Sequence, residues 1–186
     1  VYKNMEWEYG YRENDQLGGH DPYSASKAAT EIAISSWRDS FCTIKNKGSH
    51  LAIASARSGN VIGGGDWAKD RILPDVIRSL ENDKEIFIRN PKSTRPWQHV
   101  LDPLAGYIVL AEKLYKSNNS LSKDSDNIFT SAFNFGPNIS SNKTVDFLVN
   151  EITQYWPGSI KKDNDDFNQL HEAQKLHLHV DKAFNL

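Results

Sequence analysis

Leu51-Ala52-Ile53-Ala54-Ser55-Ala56 is the stretch that most narrows what this chain can fold into. It is a short run of small and apolar residues. A helix-patterned segment precedes it, and the glycine-rich Ser58-Gly59-Asn60-Val61-Ile62-Gly63-Gly64-Gly65-Asp66-Trp67 follows. Too short for a helix, the run predicts a strand covered on both faces, as strands are in parallel sheets wrapped by helices. Glycines just past the carboxyl end of such a strand mark where backbone approaches a ligand in open α/β sheets. An ordinary flexible loop would use glycine as well, so the glycines alone leave both readings open.

Around this run helices and strands alternate. Asp21 suits an N-cap, and Pro22 suits the first helical position, where its missing N–H is not needed. Ala25, Ala28, Ala29, Ile32, Ala33, Trp37 and Phe41 then predict a helix to about residue 41 or 42 with one broad apolar face. Further helices are predicted near 73–80, from Asp102-Pro103 to about Tyr115, and after a cap at Ser140-Ser141-Asn142 until Pro157 stops the last of them. Glu85 to Arg89 and Ala132 to Gly136 read as strands, Leu176 to Val180 as an edge strand, and 93–100 as extended chain held so by Pro96. Asp181-Lys182-Ala183 looks like a helix start, while 3–20, 116–127 and 163–169 read as polar loops. The alternation predicts an α/β fold.

Composition removes several classes. The 186 residues suit one domain or part of a larger one, and a net charge of −2 gives no electrostatic reason to expect nucleic acid or a membrane surface. No apolar run approaches the roughly 18 residues of a membrane span. The single cysteine, Cys42, allows no internal disulfide and fits a reducing cytoplasm. His177 and His179 alternate, but no cysteine or carboxylate cluster completes a metal site, so no metal is expected.

Tyr23 and Lys27 stand four apart, one turn over the other on the predicted helix. A phenol beside an ammonium is a proton-transfer device, because the cation favours phenolate. With seven tyrosines in a lysine-rich chain, that spacing also arises by accident. The surroundings must decide.

They do so through five blocks in order: ENDQLGGHDPYSASKAATE (13–31), ARSGNVIGGGDWAKDRILPDVIRSL (56–80), RPWQHVLDPLAGYIVLAE (95–112), FNFGP (133–137) and HEAQKLHLHVDKA (171–183). Together they resemble the extended short-chain dehydrogenase/reductase family of NAD-dependent epimerases and dehydratases, and within it the CDP-glucose 4,6-dehydratases. The glycine-Asp-Trp segment and RPWQHVLDPL carry the subfamily likeness. The resemblance implies a partial Rossmann-like, doubly wound parallel sheet plus a small α/β substrate-binding portion. It implies that residues 1–186 are the carboxyl-terminal part of such an enzyme, the last part of the Rossmann domain intermixed with the substrate-binding domain. The dinucleotide-binding half, with its glycine-rich motif, and the catalytic Thr–Asp pair would then precede Val1.

The resemblance also implies roles. Tyr23 is the base that takes the proton of the sugar's 4-hydroxyl while hydride leaves carbon 4 for NAD. Lys27 favours its phenolate and bonds the nicotinamide ribose, so both residues contact cofactor. Water then leaves carbon 6, where the hydride returns. Asn60 would contact the hexose or phosphate, Arg95 and Arg71 the diphosphate, and Asn134 and His171 the nucleotide side. A guanidinium suits diphosphate because it offers paired donors in a rigid fork. His99 is expected to pack behind Trp97 rather than act in chemistry. The implied partners are a nucleotide sugar and a second copy joined through the Tyr23 helix, in a cytoplasmic pathway supplying deoxy sugars for surface polysaccharide. Nothing in the residues reads the base or the sugar. Another sugar-nucleotide epimerase or dehydratase, and a silent sugar-nucleotide-binding piece, therefore stand as alternatives.

Overall fold

Asp21 opens the first helix as the cap chemistry predicts. Its carboxylate accepts from the Ser24 N–H at 2.9 Å, and Ser24 Oγ in turn accepts from the Asp21 N–H at 3.3 Å. The computed structural model describes residues 1–42, 51–119, 128–162 and 173–185. Within them α1 runs Pro22–Phe41, ending where the periodicity did.

The remaining elements are β1 (Ser55–Ser58), β2 (Val61–Ile62), α2 (Ile72–Glu81), β3 (Ile86–Ile88), β4 (Thr94–Pro96), β5 (Gln98–His99) and α3 (Leu101–Asn119). They are followed by β6 (Ala132–Phe135), a 3-10 turn (Ile139–Ser141), β7 (Asn142–Thr144), α4 (Val145–Tyr155), β8 (Ile160–Lys162) and α5 (Asp181–Phe184). β1 pairs with β6, β2 with β5 and β3 with β8, all parallel, while β4 and β7 are antiparallel. Parallel strands joined through helices make this an α/β fold of Rossmann type, present in part. Among the described residues no helix is long and apolar enough to cross a membrane.

Several boundaries differ from the sequence reading, each for a local reason. The strand expected over 51–56 lies later, at Ser55–Ser58, because its partner β6 begins only at Ala132. The fourth helix is not capped by Ser140-Ser141-Asn142. Those residues form the 3-10 turn and β7, and Thr144 caps α4 by accepting from the Phe147 N–H at 3.0 Å. The edge strand expected at 176–180 reduces to one bridge between Tyr11 and Leu178, since the irregular 1–20 segment offers it a single partner. α3 continues past Tyr115 to Asn119, and the loops read over 120–127 and 163–169 lie outside the described residues.

Two packing regions result. Val76, Leu80, Ile86, Ile88, Val145 and Val149 form an apolar cluster between α2, β3 and α4, extended by Ile160 of β8. Around β1 and β6 the contacts are of another kind. α3 approaches β6 so closely at Gly106 that an added Cβ would sit 2.5 Å from the Phe135 ring. α5 is tied to β6 by Lys182 Nζ, which donates to Ser131 Oγ at 2.9 Å and the Ala132 carbonyl at 2.8 Å.

Much of the apolar stripe of α1 faces outward: Ile32, Trp37 and Phe41 are 60%, 58% and 49% exposed. The helix meets the sheet through the stripe Ser24, Ala28, Glu31, Ser35 and Arg38 instead. On that inner side Glu31 makes a buried ion pair with Arg57.

Candidate active site

The carboxyl end of β1 is where backbone and side chains converge. Ser58 Oγ accepts from the Tyr107 hydroxyl at 2.9 Å, which pins the strand exit to α3. Gly59 then passes against Pro96, so tightly that a Cβ would lie 2.8 Å from its Cγ, and only glycine fits. The Asn60 carbonyl accepts from the Gln98 N–H at 3.2 Å, starting the β2–β5 ladder. The glycine segment and the Arg95–Gln98 stretch are thereby held side by side.

Each expected site residue can now be located. Tyr23 lies in the first turn of α1 with 72% of its surface exposed, and Lys27 Nζ stands 5.6 Å from its ring centroid. Asn60 is half-buried at the turn just described. Arg71 is exposed at the start of α2 and pairs with Asp66 at 2.7 Å. The Ala68 N–H and then Arg71 hold the Asp66 carboxyl below the usual carboxylate range. Arg95 is only 5% exposed, and its Nη1 donates to the carbonyls of Thr94 at 2.8 Å and Gln174 at 3.4 Å. Asn134 is fully buried; its amide donates to the carbonyls of Tyr11 at 2.8 Å and His179 at 3.2 Å, and its Oδ1 accepts from the Tyr2 hydroxyl at 2.6 Å. Its amide hydrogens are thus both taken up within the fold. His171 lies outside the described residues.

One expectation is corrected. His99 does not pack behind Trp97 but is exposed, its Nδ1 accepting from the Leu101 N–H at 3.3 Å. It caps the opening turn of α3 rather than filling space. Trp97 instead donates Nε1–H to the Lys143 carbonyl at 3.1 Å.

The sequence reading passed over the polar cluster beneath α1. Glu31 Oε2 accepts from Arg57 Nη2 at 2.7 Å and from Ser55 Oγ at 2.9 Å. Arg57 Nη1 donates to the Tyr2 hydroxyl at 2.7 Å and the Glu13 carbonyl at 3.0 Å. Burial works to raise the Glu31 carboxyl, but the hydrogen bonds from Arg57 and Ser55 outweigh it and hold the group below its ordinary range. Burial likewise pushes the Tyr2 phenol up. An arginine inside a buried strand pattern was the available signal, since such a charge is rarely enclosed without a partner.

Among the described residues no group of three or more His, Cys, Asp or Glu side chains is arranged to hold a metal ion. For a dinucleotide the exposed phenol and ammonium one turn apart are a suitable donor set, able to meet a ribose diol and a hydroxyl about to lose its proton.

Residues 6–121 match the model of the NAD dependent epimerase/dehydratase family. The chain belongs to that family. Across 183 residues it is 48% identical to the CDP-glucose 4,6-dehydratase of Salmonella typhimurium, covering 98% of this chain and 49% of that protein. The chain thus spans about half the length of the curated relative it matches. Among solved structures it resembles dTDP-glucose 4,6-dehydratase from Bacillus anthracis in complex with NAD. That match has TM-score 0.73 at 18% identity, over 99% of this chain and 50% of that one. UDP-glucuronic acid 4-epimerase from Bacillus cereus, in complex with UDP-glucuronic acid and NAD, gives TM-score 0.69 at 18% identity over 97% and 51%. These likenesses establish the family's Rossmann-type fold for the portion present here.

Proposed function

We propose that this chain is the substrate-holding part of an NAD-dependent CDP-glucose 4,6-dehydratase, a lyase converting CDP-glucose to CDP-4-dehydro-6-deoxyglucose and water. The 48% identity to the Salmonella typhimurium dehydratase carries the reading. Tyr23, exposed at the start of α1, takes the proton from the sugar's 4-hydroxyl. Lys27, its Nζ 5.6 Å from the Tyr23 ring centroid, hydrogen-bonds the nicotinamide ribose. Bound NAD would supply the hydride-accepting and hydride-returning chemistry for the sugar. Asn60 holds the hexose or its phosphate from the strand exit, and Arg95 with Arg71 meets the diphosphate. Asn134 acts from behind the nucleotide side of the pocket, a supporting role that its full burial favours, and His171 is assigned to the nucleotide by the family resemblance alone.

The dinucleotide-binding half of the fold completes this site, and residues 1–186 hold the remainder of the Rossmann portion intermixed with the substrate-binding portion. The outward stripe Ile32, Trp37 and Phe41 makes α1 the face for a second copy, giving a homo-oligomer. A cytoplasmic setting fits the single cysteine, and the product class fits supply of deoxy sugars for surface polysaccharide.

The test is a chimera in which residues 1–186 replace the matching half of the Salmonella enzyme. It is assayed with CDP-glucose, UDP-glucose and dTDP-glucose by formation of the 4-keto-6-deoxy sugar. CDP-glucose is expected to give the highest kcat/KM. A folded chimera that prefers another nucleotide, or inverts carbon 4 without losing water, contradicts the reading.

A further inference from the structure

The enclosed pair Glu31–Arg57 has no part in the chemistry above, yet it sits between two groups that do. Of the twenty residues of α1 only Ala28 and Glu31 are buried, with Ser24, Ser35 and Arg38 half-buried on the same stripe, so a carboxylate lies at the centre of the contact with the sheet. Lys27 lies one turn before Glu31 and Tyr23 two turns before it. On the other side, Ser55 and Arg57 both belong to β1, and three residues after Arg57 the same chain delivers Asn60. The contact continues inward: Arg57 reaches the Tyr2 hydroxyl at 2.7 Å, and that hydroxyl reaches Asn134 Oδ1 on β6 at 2.6 Å. Arg57 also pairs in register with Asn134 across the β1–β6 ladder. The guanidinium is therefore fixed from the strand side before it grips the helix.

We propose that Glu31 and Arg57 are positioning residues, a strut that sets the axial and rotational seating of α1 on β1 and with it the distance from Tyr23 and Lys27 to Asn60. Apolar contacts are non-directional and leave a helix free to slide, whereas a carboxylate held by a guanidinium and a hydroxyl has one setting. A slip of about 1 Å between a base and its substrate costs about a hundredfold in rate. The catalytic consequence rests on the proposed roles of Tyr23 and Asn60; the seating does not.

The test uses the full chain with Cys42→Ser and spin labels at Ser36→Cys on α1 and Gly64→Cys. An added Cβ at Gly64 meets nothing within 4 Å. Pulsed electron resonance should give one narrow distance distribution. Glu31→Met/Arg57→Met fills the space with apolar chains, so folding persists while direction is lost. Its distribution should broaden, and Glu31→Gln, which keeps an acceptor for Arg57, should restore a narrow one. If the double variant does not fold, Arg57→Lys, which keeps the charge and loses the fork, is read in the same way. In the chimera, the double variant should lose about a hundredfold in kcat with KM little changed. A folded variant with an unaltered distribution or an unaltered kcat overturns the strut. Should Tyr23→Phe leave the chimera active, the catalytic reading falls, and the distance measurement still decides the seating.

Discussion

Around Ile88 and Val149 this chain packs hydrocarbon against hydrocarbon; around Arg57 it packs a guanidinium against a carboxylate, a hydroxyl and a carbonyl. The first region joins α2, β3, α4 and β8, and the second joins α1, β1, β6 and the opening loop. Burying apolar surface stabilises without specifying direction, and such cores tolerate exchange of one hydrophobic residue for another. A buried ion pair adds little net stability but penalises any arrangement that parts its members. The difference teaches where exact seating matters: the polar region carries Tyr23, Lys27 and Asn60, while the apolar region supports the flank.

The contrast can be broken at either end. Arg57→Ala should have the largest effect, about 3–5 kcal/mol, because it leaves the Glu31 carboxylate enclosed without its partner; urea unfolding followed by circular dichroism measures it. Removing both charges as Glu31→Met/Arg57→Met should restore most of that loss, an outcome that simple additivity of the two single changes would not give. In the apolar region Ile88→Ala should cost about 2–5 kcal/mol through lost burial and the cavity left behind, while Ile88→Val should cost only about 1 kcal/mol. Thr144→Ala should cost about 1 kcal/mol by uncapping α4, read from the same unfolding curves.

Acid provides the subtlest separation. The Glu31 carboxyl is held below its ordinary value, so the stability it contributes is complete above about pH 4.3, the unfolded value for glutamate. That contribution is lost as pH falls through the lower folded value. The six buried residues of the apolar cluster have no titrating side chain. Hydrogen exchange on acidification should therefore expose amides of β1, β6 and α1 before those of α2 and α4. Loss of protection in the opposite order would contradict the contrast.

These regions were not equally legible in the sequence. Asp21-Pro22 announced α1 and its boundary, because capping is a matter of neighbouring residues. The helices read near 73–80 and up to Pro157 were likewise found, as α2 and α4, each burying apolar residues of its own turn pattern. For α1 the pattern gave the apolar stripe but not the polar one beneath the helix, because Glu31 meets Arg57 twenty-six positions along the chain, a contact no local pattern records. Tyr23 and Lys27 were legible as neighbours one helical turn apart, while the glycines left two readings open until Gly59 was found against Pro96. Asn134 was legible as a residue of a strand, but its enclosure by Tyr2, Tyr11 and His179 needed the fold.

The proton-accepting role of Tyr23 is the claim on which the functional account turns, and Tyr23→Phe in the chimera tests it most directly. Removing one hydroxyl from an exposed ring leaves the fold intact, so unfolding curves should superimpose. Formation of the 4-keto-6-deoxy product from CDP-glucose should fall by about 10²–10⁴-fold, the usual contribution of a positioned general base. Turnover equal to that of the unsubstituted chimera would contradict the account.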